Sequence, residues 1–153
     1  MRSVPIVLND LLLLSCTAMY FGTGWSLVLF SFSTGKELTV ANYYDQFVPQ
    51  VTAATRFFTW MTTVMIVTAG VMTVSEWHHR LWAPLIVLGG VIAATTLTVT
   101  LILPLNALMA GHIRDPRVLE ATLGRWMALN RVRVGLWTVQ WLAMAAYFGF
   151  ALG

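Results

Sequence analysis

The segment RWMALNRVRVGLWTVQW, Arg125 to Trp141, opens on charge and closes inside an apolar run. An α-helix turns about 100° per residue. With Trp126 as the origin, Asn130 falls at about 40°, Arg133 at about 340°, Trp137 at about 20°, Gln140 at about 320° and Met144 at about 0°. A helix here therefore gathers one arginine and two amides on a narrow stripe. On the same wheel Arg117 lies at about 180° and Arg131 at about 140°, on the far flank. Those two suit lipid headgroups, where a long side chain keeps its charge in water. The stripe itself is expected to face neighbouring helices.

Outward from this segment, the apolar run continues to Leu152 and proves to be one of four. The others are Pro5 to Phe32, Val51 to Val74 and Leu81 to Leu105. A hydrocarbon core about 30 Å thick needs about 20 apolar residues per helix. Of the 153 residues, 58% are hydrophobic and 10% charged, against roughly 25% charged in soluble domains. Mean hydropathy is +0.75. The expectation is all-α: one domain, residues 1–153, a polytopic membrane protein whose four transmembrane helices form an up-down bundle. The first apolar run is longer than the roughly 7–15-residue core of a signal peptide, so it reads as a retained span.

Charge placement orients that bundle. One side of the membrane would hold Arg2 and Arg80; the other Lys36, Arg56, Arg114, Arg117, Arg125, Arg131 and Arg133. By the positive-inside rule the seven-charge side is cytoplasmic, which places both termini outside in a bacterial inner membrane. The net +3 then reflects topology and anionic headgroups rather than nucleic acid. The lipid bilayer is the first expected partner; a hydrophobic small molecule, a membrane-protein partner or a second copy are further candidates.

Between the spans, STGKE (Ser33–Glu37) reads as a loop, and Tyr43, Tyr44 and Phe47 suit the headgroup layer ahead of Pro49 and the second helix. Pro84 fits the first turn of the third helix. Pro104 is expected to weaken its last turns, and Gly111 to stop it. Asp115 and Pro116 make an N-cap and N1 pair. From there to Leu152 no proline interrupts, so about 37 residues would span about 55 Å. Its first half is expected to lie along the interface, as an interfacial helix before the fourth span.

Matching polar groups stand on the other helices: Thr95, Ile102 and Asn106 with Thr98 on the third, Arg56, Trp60 and Thr63 on the second, Asp10, Thr17, Phe21 and Gly24 on the first. Arg56, Asn106, Asn130 and Arg133 are expected to converge at cytoplasmic depth. Two readings compete for them. Amides and hydroxyls can simply hold helices together, at about 0.6–2 kcal/mol each. An arginine inside a span is costly enough to mark a functional site. Trp60 and Trp126 are either interfacial-belt residues or ring-binding walls.

Metal chemistry has little to work with. His78, His79 and Glu76 lie on one side of the membrane and His112 on the other, so the three histidines do not share one ion. Cys16 is the single cysteine, which excludes an internal disulfide. No metal ligand set and no particular cofactor is indicated. His112 titrates near neutrality and is either a base for the cavity or a solvated loop residue. No P-loop, dinucleotide turn or Ser/His/Asp constellation is present. The GTG of Gly22–Gly24 reads as a close-packing contact.

Along LPLNALMAGHIRDPRVLEATLGRWMALNRVRVGLW (Leu103–Trp137) the chain resembles a family of small four-helix membrane proteins, mostly of unknown function, that includes anthrone oxygenase-like proteins. The matching features are Pro104 and Asn106 ending the third helix, then Trp126, Asn130 and Arg133 opening the fourth. The resemblance implies an oxidoreductase acting on a phenolic polycycle without a clearly required cofactor. It implies Asn106, Asn130 and Arg133 as hydrogen-bond donors, with His112 as base. It implies Trp126 and Trp137 as a ring-binding wall; Trp60 and Gln140 are the other ligand-binding candidates. The alternative from another class is a non-catalytic accessory subunit of a larger membrane complex.

Overall fold

The computed structural model describes residues 3–35 and 37–152, with side chains through residue 150. Arg2 and Lys36, counted above for orientation, lie outside the described residues. Among the described residues every regular element is helical. There are four long rods: α1 (Val4–Gly35), α2 (Tyr43–Ser75), α3 (Trp82–Ala110) and α4 (Pro116–Leu152).

The first three are long and apolar enough to cross a membrane, with mean hydropathies of 1.6, 1.6 and 2.3. This is an integral membrane protein by that measure. α4 is the most polar of the four along its first half, where Arg117, Glu120, Arg125, Asn130, Arg131 and Arg133 all fall.

Each helix begins where the sequence offers a start. Ser3 holds the N-cap position of α1, its carbonyl accepting from Ile6 N and Val7 N, and Pro5 occupies the first turn, where a missing N–H costs nothing. Asp115 caps α4, its Oδ1 accepting from Arg117 N at 2.8 Å. α2 starts earlier than expected: Pro49 lies inside it, not before it. A proline there forfeits one helical bond and crowds the preceding turn. Contacts from the first turns compensate. The Tyr43 hydroxyl donates to Met109 O at 3.1 Å and accepts from Ile113 N, while Phe47 sets its ring 4.8 Å from that of Trp126.

α3 does not fray at Pro104. Thr98–Ile102 forms a π-helical turn, Leu103 N–H reaches back to Thr98 O, and the rod continues to Ala110. The wider turn gives the proline ring room that a regular turn denies it. α1 carries a matching π turn at Leu27–Ser31. At the end of α3, Gly111 keeps an ordinary φ of −81°, and His112 takes the left-handed one at 56°. Histidine tolerates that region better than bulky or branched residues do.

No separate interfacial helix precedes the last apolar stretch. Residues Pro116–Leu152 form one unbroken helix of 37 residues, and its first turns are packed. Leu119, Leu123 and Trp126 are buried with Phe32, Tyr43, Ile102, Met109 and Ile113. Burial of this apolar face is what keeps those turns on the bundle rather than alongside it.

Helix neighbours are fixed by pairs whose residue numbers run in opposite senses. Along α1 and α2, Asn9 Nδ2 meets Thr68 O at 3.0 Å and Tyr20 meets Phe58 and Thr62. Along α3 and α4, Trp82 meets Phe150, Thr98 meets Arg133 and Asn106 meets Trp126. Along α1 and α4, Phe21 stacks on Trp141 and Phe32 meets Trp126 edge-on. Gly24 permits a close approach of α1 to α4: a Cβ there would lie 2.8 Å from Trp137 Cε3 and 2.9 Å from Val134 Cγ2. The packing role read for GTG belongs to this glycine; Gly22 has open space beside it.

Candidate functional site

Two apolar clusters fill the bundle. One holds Leu13, Met65, Met72, Val87, Met144 and Tyr147; the other is built around Phe32, Tyr43, Met109 and Trp126. Between them all four helices wall a cavity of about 770 Å³. Small-molecule sites typically enclose roughly 300–1,000 Å³. Both π-helical turns contribute to this wall, through Leu27 and Ser31 on one side and Thr98, Val99 and Ile102 on the other. π turns often occur at functional sites because they displace side chains from the regular register.

The α4 stripe faces inward along its whole length. Trp126, Asn130, Trp137, Gln140 and Met144 are buried, and Arg131 and Arg117 stand exposed on the far flank, as the helical wheel requires. Arg133, Trp126, Trp137 and Gln140 line the cavity. So do Thr95, Thr98, Ile102 and Asn106 of α3, the face expected from sequence.

Within the stripe the polar groups form a chain. Trp126 Nε1–H donates to Asn106 Oδ1 at 2.8 Å, Asn130 Nδ2–H donates to Trp126 O at 2.8 Å, and Arg133 Nη2–H donates to Asn130 Oδ1. A longer contact of 3.4 Å links Arg133 Nη1 to Thr98 Oγ1. The guanidinium carbon sits 4.7 Å from the Trp137 ring centre, a cation–π distance. Asn130 is wholly buried and is absent from the cavity wall. It positions Arg133 and does not itself face the space.

Two groups in the wall are left over. Arg133 Nε and both amide atoms of Gln140 are buried without a hydrogen-bond partner. Gln140 is pressed against α3 at Gly90, where a Cβ would lie 2.6 Å from its Cγ and Nε2. A buried polar group without a partner costs about 1–3 kcal/mol, and more when charged. A wall that tolerates these orphans fits one that meets a polar ligand.

Aromatic rings flank that polar centre at both levels. Tyr20, Phe58 and Trp137 pack mutually, with centroids 4.7 to 5.8 Å apart. Phe32 and Phe47 set their edges on Trp126. The two tryptophans stand eleven positions apart on α4, about 16 Å along the axis. Tyr20 anchors the nearer group, its hydroxyl 2.9 Å from Phe58 O and 2.7 Å from Thr62 Oγ1.

Several expected residues are elsewhere. Trp60 is 72% exposed on the outer face of α2 and does not touch the cavity. Arg56 is also exposed, so the expected four-residue convergence reduces to Asn106, Asn130 and Arg133. His112 is exposed beyond the end of α3, its ring stacked 3.5 Å from Tyr44, which removes it as a base for this space. The nearby carboxylates of Asp45, Asp115 and Glu120 are exposed and outside the wall. Among the described residues, Arg133 is the only charged side chain in the wall.

Sequence reasoning missed Tyr20, Phe58, Thr62, Gln46 and Gln50, all of which line the cavity. The available signal on α2 was the row Phe58, Met65 and Met72, spaced by seven like one face of a helix.

Comparison of the chain with family models, curated proteins and solved structures finds no match in any of the three.

Proposed function

We propose that this protein is a four-span, up-down membrane bundle that binds a hydrophobic aromatic or quinone-like molecule in its central cavity. In this reading α4 is the fourth span, both termini lie outside a bacterial inner membrane, and the arginine-rich ends face the cytoplasm. The observation that carries it is the pairing of orphaned donors with rings. Arg133 Nε and the Gln140 amide lack partners in a wall that also carries the rings of Tyr20, Phe58, Trp126 and Trp137. Rings give the ligand's flat body offset-stacked or edge contacts. The guanidinium and amide give its oxygen atoms hydrogen bonds that repay their own desolvation.

Oxygenase-like turnover of that ligand is the further reach of the reading. It is supported by the half-buried Arg133 cation in the wall, which would stabilise a developing enolate or phenolate oxygen. With His112 outside the wall, proton removal would fall to a group other than the one expected. An accessory-subunit role predicts instead that the stripe matters only for assembly.

The test is photolabelling of the membrane-embedded protein with benzophenone, a hydrophobic diaryl ketone. The expected adducts map to the α2 segment around Phe58 and the α4 segment around Trp137, and fall several-fold in Gln140→Leu. Adducts concentrated on outward residues such as Trp60 and Val74 would rule the cavity out as the binding place.

A further inference from the structure

Arg133 is a half-buried cation, its Nε fully enclosed, set among neutral neighbours. Among the described residues its guanidinium meets the Asn130 amide oxygen, the Thr98 hydroxyl and the Trp137 ring. The titratable group facing it from α1 is the Tyr20 phenol. From α2 the wall presents Phe58 and threonine hydroxyls, from α3 Thr95, Thr98 and Asn106, and from α4 Asn130 and Gln140. None of these carries a charge. An unpaired ion away from water costs several kcal/mol, and an opposite charge within about 4–6 Å offsets much of that.

The neighbours are also chosen against pairing. Asn130 stands where an aspartate of nearly the same shape would have neutralised the guanidinium. Instead an amide holds the guanidinium in place and leaves its positive charge standing. A site built to bind a neutral oxygen needs only a donor such as Gln140. The retained charge makes sense for a ligand that brings the counter-charge itself.

We propose that the cavity takes its ligand as an anion: a hydrophobic, ring-bearing weak acid, bound with its deprotonated oxygen on the Arg133 guanidinium and its rings between the two aromatic groups. This rests on the cavity reading above and narrows it to a chemical class. Binding and ionisation are then linked. The proton leaves the ligand's oxygen for solvent, no bond to the protein forms, and the acid is stronger bound than free.

The probe is 2-naphthol, with 2-methoxynaphthalene as a form that cannot ionise, and the protein is held in nanodiscs of zwitterionic phosphatidylcholine. Bound naphthol is expected to titrate at least about one pH unit below the free compound, a tenfold preference for the anion. Asn130→Asp, which supplies the missing counter-charge, is expected to abolish that shift. Arg133→Lys keeps the charge and should keep the downward direction of the shift. If Asn130→Asp does not fold, Arg133→Gln against Arg133→Lys gives the same contrast.

Equal titration of bound and free naphthol, with the ether still bound, overturns the anion proposal and leaves the cavity reading standing. If neither compound binds, both fall together. If phosphatidylglycerol in the nanodisc competitively expels naphthol, the counter-charge is a lipid phosphate, and the ring-bearing acid is the wrong ligand.

Discussion

Asn130 and Gly90 act on the site through other residues, and each makes a distinct forecast. Asn130 ties Arg133 to α4's own backbone through Trp126 O, so its loss frees the guanidinium without removing it. Gly90 leaves room for Gln140. Gly90→Ala is expected to push the Gln140 side chain aside and weaken binding of an aromatic probe several-fold, while the bundle stays assembled. Unchanged affinity in a titration of that variant would show that the amide takes no part. Gly24→Ala differs in kind, because its Cβ meets the rigid Trp137 ring and Val134. Overpacking of that sort costs about 1–3 kcal/mol, to be read as a lower unfolding midpoint in detergent. The α4 stripe was legible from sequence because amides, arginine and tryptophan fall at one helical angle. On α2 the expected row was right in Thr63, which lines the cavity, and wrong in Arg56 and Trp60, which stand exposed. Thr55, Thr59 and Thr63 each bond a carbonyl four residues back on their own helix, so a threonine in a span is satisfied on either face. A threonine therefore does not tell which face looks inward, and the row read from sequence, Arg56 and Trp60 with Thr63, misses Phe58 and Thr62.

At the scale of elements, the junction between α3 and α4 depends on a side chain from α2. The Tyr43 hydroxyl bridges Met109 O and Ile113 N, across a turn whose left-handed residue is His112. Tyr43→Phe leaves a buried carbonyl and a buried N–H without that partner, at about 1–3 kcal/mol. Hydrogen exchange at Ile113 is expected to accelerate accordingly, by roughly tenfold or more. Unaltered exchange there would mean that the junction is held by packing alone. The ends of the helices were readable where a residue has one dominant use, as with Asp115 and Pro116. They were unreadable at Pro49 and Pro104, where tertiary contacts and a π turn absorb what proline takes away. The same π turn brings Thr98 to Arg133, so the irregularity of α3 is part of the site.

For the whole molecule, the proposed topology puts the α2–α3 turn and the α3–α4 turn on opposite sides of the membrane. In a Cys16→Ser background, a cysteine at His79 should react with a membrane-impermeant maleimide added to intact cells, and one at Asp115 should not. The reverse pattern would invert the orientation, and labelling of both would remove one crossing. The central claim, however, concerns what the bundle encloses. Native mass spectrometry of the protein released from its own membranes tests it most directly. The account predicts a bound mass matching a ring-bearing organic molecule on the unmodified protein, and its loss in Arg133→Gln. A protein that flies without any adduct, or carries the same one after Arg133 is replaced, would contradict it.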